Sequence, residues 1–262
     1  MKLSISNIAW NNECNETVYG FMKENGYSGL EIAPTKIFPE KPYDKLDEAA
    51  RWSENLKKEY GFEVSSMQSI WFGRQEMLFG TEEERKALLD YTKKAIDFAK
   101  ATGCGNLVFG CPKNRSMPEG TDVKVAIDFF SELGDYAYSQ GTVVGMEANP
   151  AIYNTNFVND TESALDLIEK VNSKGFLLNL DVGTMICNGE SVELLKGKVK
   201  YINHVHISEP HLKPVEERDI HNELCKLLKE EKYEKYVSIE MGTLEDVSVI
   251  KEKMKYIADL FI

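Results

Sequence analysis

The stretch TEEERKALLDYTKKAIDFAKATGCGNLVFGCP, residues 81–112, contains the alternation that decides the fold. Thr81 and Glu84 have the spacing of a capping box at a helix start, and Gly103 is typical of a helix end. Between them, apolar residues recur at helical spacing, namely Leu88, Tyr91, Ala95 and Phe98. The apolar run NLVFGCP (106–112) follows at once and predicts a buried strand.

The same alternation extends in both directions along the chain. The strand candidates are LSISNIAW (3–10), GLEIAP (29–34), EVSSMQSI (63–70), NLVFGCP (106–112), TVVGMEANP (142–150), FLLNLDVG (176–183), YINHVHIS (201–208) and YVSIEMG (236–242). Between them, Asn159 and Glu162 predict a second capped helix, and a short helix is expected around Ser191 to Leu195. The last helix is predicted to carry one apolar stripe, formed by Val247, Ile250, Met254, Ile257 and Phe261.

Eight strands that alternate with helices, without a linker or an internal repeat, predict an α/β protein. We expect a single (β/α)8 TIM barrel over residues 1–262. The structural rival is a doubly wound open sheet, which usually has fewer strands and a glycine-rich first turn. The first turn here, SNIAWNNECN, contains no glycine, which weakens a dinucleotide-binding interpretation.

Composition narrows the class of protein further. The chain is 42% hydrophobic and 28% charged, as is usual for a globular enzyme. Its net charge of −12, with no basic block, argues against nucleic acid as a partner. The five cysteines include no C-x-x-C pair, and the chain has neither an apolar signal region nor a long apolar run. We therefore expect a cytoplasmic protein without disulfides and without a membrane partner.

Each of the last four strands carries one metal-competent residue near its C-terminal end, between apolar neighbours. These residues are Glu147, Asp181, His206 and Glu240. Side chains alternate across a strand, so apolar neighbours that point outward leave these four pointing into the barrel mouth, where barrel enzymes keep their active sites. The pattern predicts a site for one divalent metal ion, since three unpaired carboxylates cannot share a dry pocket. The oxygen-rich set favours Mn²⁺ or Mg²⁺ and is compatible with Co²⁺ or Zn²⁺.

The alternative for these four residues is a polar cluster with only a structural role, because a single glutamate at a strand end is often a surface residue. The residues two positions earlier bear on the choice. They are Gly145, Asn179, His204 and Ser238, all small or polar where a plain barrel core would hold branched apolar residues. We expect Asn179, His204 and Ser238 to lie beneath the metal ligands and to orient them.

The sequence resembles the xylose-isomerase-like (β/α)8 superfamily of sugar phosphate isomerases and epimerases. That superfamily includes D-tagatose/D-psicose 3-epimerases, hydroxypyruvate isomerase and inosose dehydratase. The resemblance rests on the four strand-end residues, on the H-x-H of strand seven and on the closing VSIEM, and it implies that the four residues bind one divalent metal. The chain departs from many members at Thr184 in DVGT, where they carry a histidine that contacts substrate.

A DNA-repair branch similar to endonuclease IV belongs to the same superfamily and uses extra histidines after strands two, three and six. GLEIAP, SSMQSI and DVGT supply none of these. The spacing of His206, Asp219 and His221 does resemble that branch, so His221 is a candidate for contact with metal or substrate. The alternative for Asp219 is that it caps the helix IHNELCKLLKEE, and both roles can hold together.

The resemblance implies a sugar or sugar phosphate substrate, and relatives often form homo-oligomers. A bound metal would acidify a carbon-bound proton beside a carbonyl, and Glu147 and Glu240 would transfer it through an enediolate. Further candidates for substrate binding are Trp10, Gln68, Lys113, Arg115, Asn149 and Thr184, all expected near the mouth, with core packing or exposure as the alternatives. The alternatives to an isomerase or epimerase are a lyase of the inosose dehydratase type and a non-catalytic sugar-binding barrel.

Overall fold

The computed structural model describes all 262 residues, Met1–Ile262. Eight parallel strands close into a barrel in chain order, and the first strand pairs with the last. The strands are β1 (Lys2–Ser6), β2 (Tyr27–Ile32), β3 (Glu63–Met67), β4 (Leu107–Phe109), β5 (Val144–Met146), β6 (Phe176–Asp181), β7 (Ile202–Ile207) and β8 (Tyr236–Ile239). The predicted single (β/α)8 TIM barrel is therefore confirmed.

Helices connect the strands and cover the outside of the barrel. The α-helices are α1 (Asn15–Glu24), α2 (Pro34–Ile37), α3 (Leu46–Tyr60), α4 (Glu82–Thr102), α5 (Lys124–Ser139), α6 (Thr161–Val171), α7 (Val182–Asn188), α8 (Asp219–Glu230) and α9 (Val247–Phe261). Short 3-10 turns lie at Asn7–Ala9, Asn12–Cys14, Pro42–Asp44, Pro112–Asn114, Ala151–Tyr153, Val192–Leu195, Val199–Tyr201 and Pro210–Leu212. None of the helices combines the length and the apolar character needed to cross a membrane.

The predicted start and end of α4 are confirmed. The Thr81 hydroxyl accepts a hydrogen bond from the Glu84 backbone N–H, and the Glu84 carboxylate accepts one from the Thr81 backbone N–H. Gly103 ends the helix at φ 69°, in the left-handed region that glycine adopts most easily. The apolar stripe of α9 is also buried at Ile250, Met254, Ile257 and Phe261, while Val247 is half-buried.

Two predicted helix starts are wrong. Asp160, and not Asn159, caps α6, because its Oδ1 accepts the Ser163 N–H at 2.7 Å while the Asn159 amide donates to the carbonyls of Asn149 and Thr155.

The α-helix after β6 is also misplaced. It begins at Val182, directly after the strand, and the residues around 191–195 form only a 3-10 turn. Capping by Asp219, the alternative considered for that residue, is not observed either, because Asp219 is the first residue of α8.

The strand register creates two polar layers inside the barrel. It pairs Asp181 with His206 at the C-terminal end, and Asn179 with His204 one layer deeper. The apolar neighbours of the donor residues point the other way and are fully buried under the helices, as Met146, Leu180, Val205 and Ile239 are. This alternation supplies the apolar core between barrel and helices and leaves the barrel interior for polar groups.

Candidate metal centre

Four donor groups converge at the C-terminal mouth of the barrel. Glu147 follows β5 directly, Asp181 ends β6, His206 lies in β7, and Glu240 follows β8. One donor atom from each lies within 4.8 Å of the donor atoms of the other three. Glu147 and Glu240 are each 8% exposed, His206 is fully buried, and Asp181 is half-buried.

The hydrogen bonds of His206 decide what this cluster can hold. Its Nε2 lies 2.8 Å from Glu31 Oε2, and because an ionised carboxylate only accepts hydrogen bonds, the ring proton belongs on Nε2. Nδ1 then presents a lone pair, 3.0 Å from Glu147 Oε1 and 3.2 Å from Glu240 Oε2. Three electron-rich atoms face one another in this arrangement, and either a second ring proton or a cation can hold them together.

The pKa values describe the same conflict. Burial lowers the pKa of His206, but the carboxylates around it, led by Glu31, raise it well above its usual value. Burial raises the pKa of Asp181 to about 6, and the charge of Glu147 adds to the shift. The pKa values of Glu147 and Glu240 are also raised, chiefly by burial. Three buried carboxylates that repel one another, together with one imidazole, are suited to binding a divalent cation, which would compensate the buried negative charge.

Asp181 is held in place by the backbone that follows it. Its Oδ1 accepts the Thr184 N–H at 2.5 Å, which caps α7, and its Oδ2 accepts the Ser208 hydroxyl at 2.5 Å. The Thr184 hydroxyl donates to the carbonyl of Ala148 at 2.8 Å and so ties the β6 loop to the β5 loop. Thr184 therefore supports two ligand-bearing loops, and its contact with substrate stays a prediction.

Glu147 is fixed from several sides. Asn179 Nδ2 donates to its Oε1 at 2.8 Å, and Asn149 Nδ2 donates to its Oε2 at 3.3 Å. A Cβ atom at Gly110 would lie 2.7 Å from Oε2, so a side chain there would displace the carboxylate. The backbone of Glu147 is held as well, because Arg115 donates to its carbonyl at 2.9 Å.

The loop after β4 was expected to offer cations to the substrate, and the structure separates its two charged residues. Arg115 is fully buried and also donates to Asn149 Oδ1 at 3.0 Å and to the Val158 carbonyl at 3.2 Å. Burial lowers the pKa of its guanidinium to about 10. Lys113 is exposed. Arg115 thus braces the β5 loop from behind, a position that does not favour its predicted contact with substrate.

Glu31 is the member of this site that our sequence interpretation missed. It lies in β2, is fully buried, and reaches beneath the mouth to contact His206. Its Oε2 also lies 3.2 Å from His204 Nε2, and its Oε1 accepts a hydrogen bond from Gln68 at 3.3 Å. Burial would raise the pKa of Glu31, but the two histidines outweigh burial and lower it well below its usual range. The signal was present in the sequence, because Leu30-Glu31-Ile32 repeats the apolar–donor–apolar pattern of the later strands.

The remaining predicted residues occupy three kinds of position. Asn179, His204 and Ser238 are fully buried in the layer beneath the donors, and neither the His204 ring nor the Ser238 hydroxyl has a hydrogen-bond partner of good geometry. Trp10 is fully buried in the core, where its Nε1 donates to Asn15 Oδ1 at 2.8 Å. Gln68 is nearly buried and also donates to Ser6 at 2.8 Å.

His221 lies apart from this cluster. Its ring is fully buried, its Nδ1 lies 3.0 Å from the Tyr256 hydroxyl of α9, and burial lowers its pKa to about 4. Asp219 is exposed, and neither residue is among the donors around His206. The contact of His221 with metal or substrate stays a prediction, which this position does not favour.

The fold and the cluster define a (β/α)8 barrel protein with an acidic group of candidate metal ligands at its C-terminal mouth. The family described as "Xylose isomerase-like TIM barrel" matches residues 20–260, so the chain belongs to that family. Comparison with curated proteins finds no match.

Solved structures show the same fold at low sequence identity. A 3-keto-D-glucoside 4-epimerase from E. coli superposes with a TM-score of 0.78 at 19% identity, covering 99% of each chain. A D-psicose 3-epimerase from Clostridium cellulolyticum H10, solved with D-tagatose, gives a TM-score of 0.76 at 13% identity, covering 100% of this chain and 98% of that one. The IOLI protein, solved with a zinc atom, gives 0.69 at 19% identity, covering 100% and 95%.

Proposed function

We propose that this protein is a divalent-metal-dependent isomerase or epimerase of a sugar or sugar phosphate. The observation that carries the proposal is the convergence of the His206 Nδ1 lone pair with Glu147 Oε1 and Glu240 Oε2, at 3.0 and 3.2 Å. Membership in the family and the similarity to sugar epimerases of the same fold support it. Glu147, Asp181, His206 and Glu240 would hold the metal, which would supply Lewis-acid polarisation of substrate oxygens.

In this proposal Glu147 and Glu240 move the proton. Glu147 follows β5 and Glu240 follows β8, so they reach the mouth from different strands of the barrel. Of the three carboxylates among the four donors, these two lie closest to His206. One removes a carbon-bound proton beside a carbonyl, and the other returns a proton to the enediolate. Their raised pKa values suit this work, because a general base is most effective when its pKa lies near the working pH.

The test combines metal binding with proton exchange. Purified protein is stripped with chelator and titrated with Mn²⁺ by calorimetry. A panel of ketoses and their phosphates is then incubated with the loaded enzyme in D₂O. We expect one Mn²⁺ per chain and deuterium incorporation at the carbon beside the carbonyl of the true substrate. Glu147→Gln and Glu240→Gln should each reduce conversion of substrate to product by about 10²–10⁴-fold, whereas Glu245→Gln, at an exposed glutamate after β8, should retain it.

Other outcomes identify the alternatives. Loss of water from the substrate, detected as a product 18 Da lighter, would indicate a dehydratase at the same site. The non-catalytic barrel would be supported if Mn²⁺ did not change the melting temperature of the chelator-treated protein and no substrate exchanged a proton. Full activity in Glu147→Gln or Glu240→Gln would contradict the assignment of that residue.

A further inference from the structure

A continuous chain of side-chain hydrogen bonds crosses the interior of the barrel. Lys235 Nζ donates to Asn203 Oδ1 at 2.8 Å, and Asn203 Nδ2 donates to Asn106 Oδ1 at 2.9 Å. Asn106 Nδ2 donates to Asn179 Oδ1 at 3.2 Å, and Asn179 Nδ2 donates to Glu147 Oε1 at 2.8 Å. Four hydrogen bonds therefore join a cation before β8 to a carboxylate of the candidate metal centre.

The direction of this chain is fixed at both ends. An ammonium group only donates hydrogen bonds and an ionised carboxylate only accepts them. Each of the three amides must therefore turn its oxygen toward Lys235 and its nitrogen toward Glu147. The amide dipoles then align, and each hydrogen bond polarises the next.

The surrounding barrel is shaped to hold these amides. Asn106 is 1% exposed and Asn179 is fully buried, at a level where barrels usually hold branched apolar residues. Gly145 faces them from β5, where a Cβ atom would lie 2.6 Å from Asn106 Oδ1 and 3.1 Å from Asn179 Cβ. The absence of a side chain at residue 145 thus leaves the space in which the two amides meet.

The far end of the chain reaches solvent. A cavity of about 270 Å³ at the N-terminal end of the barrel is lined by Asn106, Asn203, His204 and Lys235, among others. Lys235 lies at the edge of this cavity and is exposed at the surface, although partial burial lowers its pKa.

We propose that Asn203, Asn106 and Asn179 form a directional amide relay through which Lys235 strengthens the hydrogen bond that orients Glu147. The metal-binding part of this inference rests on the proposed function, whereas the polarisation of the amides does not. The four residues are positioning residues, because they act on substrate only through Glu147 and, at Asn179, through His206, whose Nδ1 lies 3.3 Å from Asn179 Nδ2. The effect of Lys235, Asn203 and Asn106 on metal affinity should be smaller than the roughly 10–100-fold loss expected on removal of Asn179, which is a direct partner of a ligand.

The test compares two lysines at the same end of the barrel. Lys235→Met removes the cation of the relay and Lys235→Arg keeps it. Lys2→Met removes a matched cation that lies over the Tyr236 ring and pairs with Glu63, outside the relay. Asn106→Asp keeps the size of the side chain but removes the donor to Asn179. The first measurement is the side-chain amide proton resonance of Asn179 in metal-free protein, assigned by its loss in Asn179→Asp.

We expect Lys235→Met and Asn106→Asp to move the Asn179 resonance upfield, with Lys235→Arg and Lys2→Met close to wild type. Mn²⁺ affinity should fall about two- to fivefold in Lys235→Met and recover in Lys235→Arg. An Asn179 resonance that is the same in Lys235→Met as in Lys2→Met would overturn the relay, whatever the metal binding. If wild-type protein bound no divalent cation while the resonance moved as expected, the proposed function would fail and the relay would stand.

Discussion

Two buried glutamates of one site, Glu31 from the first half of the barrel and Glu147 from the second, have pKa values shifted in opposite directions. Burial acts against the charge of both. Glu31 has two histidines within 3.2 Å, and they outweigh burial. Glu147 and Glu240 both contact Nδ1 of His206, and the charge of Glu240 adds to the effect of burial in raising the pKa of Glu147.

The difference separates the two glutamates by role. Glu31 has His206 and Gln68 as hydrogen-bond donors within the chain, so it can orient His206 without a bound ion. Glu147, Asp181 and Glu240 instead gather around a single imidazole, which can carry at most one positive charge against their three negative charges. A buried carboxylate that has its own hydrogen-bond donors within the chain can orient a neighbouring residue. A group of buried carboxylates whose negative charge the chain does not compensate indicates a site for a bound cation.

The largest expected effect comes from neutralising the unbalanced acids. Glu147→Gln or Glu240→Gln should reduce turnover of the true substrate by about 10²–10⁴-fold, because each is assigned a proton transfer. The same changes should raise the melting temperature of metal-free protein, since each removes a repelled, buried charge. Steady-state kinetics and calorimetry check the two halves of this prediction. A metal-free Glu147→Gln protein less stable than wild type would show that the carboxylate is balanced after all.

Neutralising the balanced acid should act in the opposite sense on stability. Glu31→Gln should lower the free energy of unfolding by about 1–3 kcal/mol, because His206 and His204 lose their buried charged partner. Metal affinity should fall by about 10–100-fold through the altered basicity and orientation of His206. Chemical denaturation and Mn²⁺ titration measure these effects, with Glu63→Gln, an ion-paired glutamate at the far end of the barrel, as the control. Unchanged metal affinity in Glu31→Gln would remove Glu31 from the site.

The comparison also shows where sequence reasoning succeeded. The barrel followed from periodicity and from a capping box such as Thr81/Glu84, because these are local patterns with a local physical cause. The meeting of Glu147 with Asp181, His206 and Glu240 followed from one further rule, that the ends of parallel strands share one mouth.

The parts that were missed depend on contacts between distant segments. Glu31 had the right local pattern, yet only the closed barrel brings β2 opposite His206, 175 residues away in the chain. Arg115 was expected to face substrate because its loop lies at the mouth, but its guanidinium turns back to the Glu147 carbonyl. Asp160 and Asn159 were both candidates for the N-cap of α6. The side chain of Asn159 is hydrogen-bonded to the carbonyls of Asn149 and Thr155, which leaves the capping role to Asp160. Sequence spacing gives the layer in which a side chain lies but not the partner it finds there.

Titration provides a weaker but broader test of the same contrast. A carboxylate whose pKa is higher in the folded chain than in the unfolded chain favours folding below its unfolded pKa, about 4, and this advantage disappears as pH rises through the folded pKa. Asp181, with a folded pKa of about 6, belongs to this class, and the raised pKa of His206 acts in the same direction. Glu31, with a lowered pKa, contributes stability that is already complete above about pH 5.

The melting temperature of metal-free protein should therefore decrease as the pH rises from about 5 to about 8. The increase in melting temperature produced by Mn²⁺ should become larger over the same range, since metal ligands bind when deprotonated. Asp181→Asn should flatten the pH profile of the metal-free protein. A Mn²⁺-induced shift in melting temperature that is equal at both ends of the range would argue against these acids as the ligands.

The smallest expected effect concerns the link between two ligand-bearing loops. Thr184→Val keeps the shape of the side chain but removes the hydroxyl that donates to the Ala148 carbonyl at 2.8 Å, leaving a buried acceptor without its partner. The free energy of unfolding should fall by about 1 kcal/mol, while the backbone N–H of residue 184 still caps α7 through Asp181. Thr184→Ser retains the hydroxyl and should behave as wild type. If Thr184→Val left stability unchanged but raised KM for the sugar, the residue would contact substrate, as its place in the sequence suggested, and the β5 and β6 loops would be held together by other bonds.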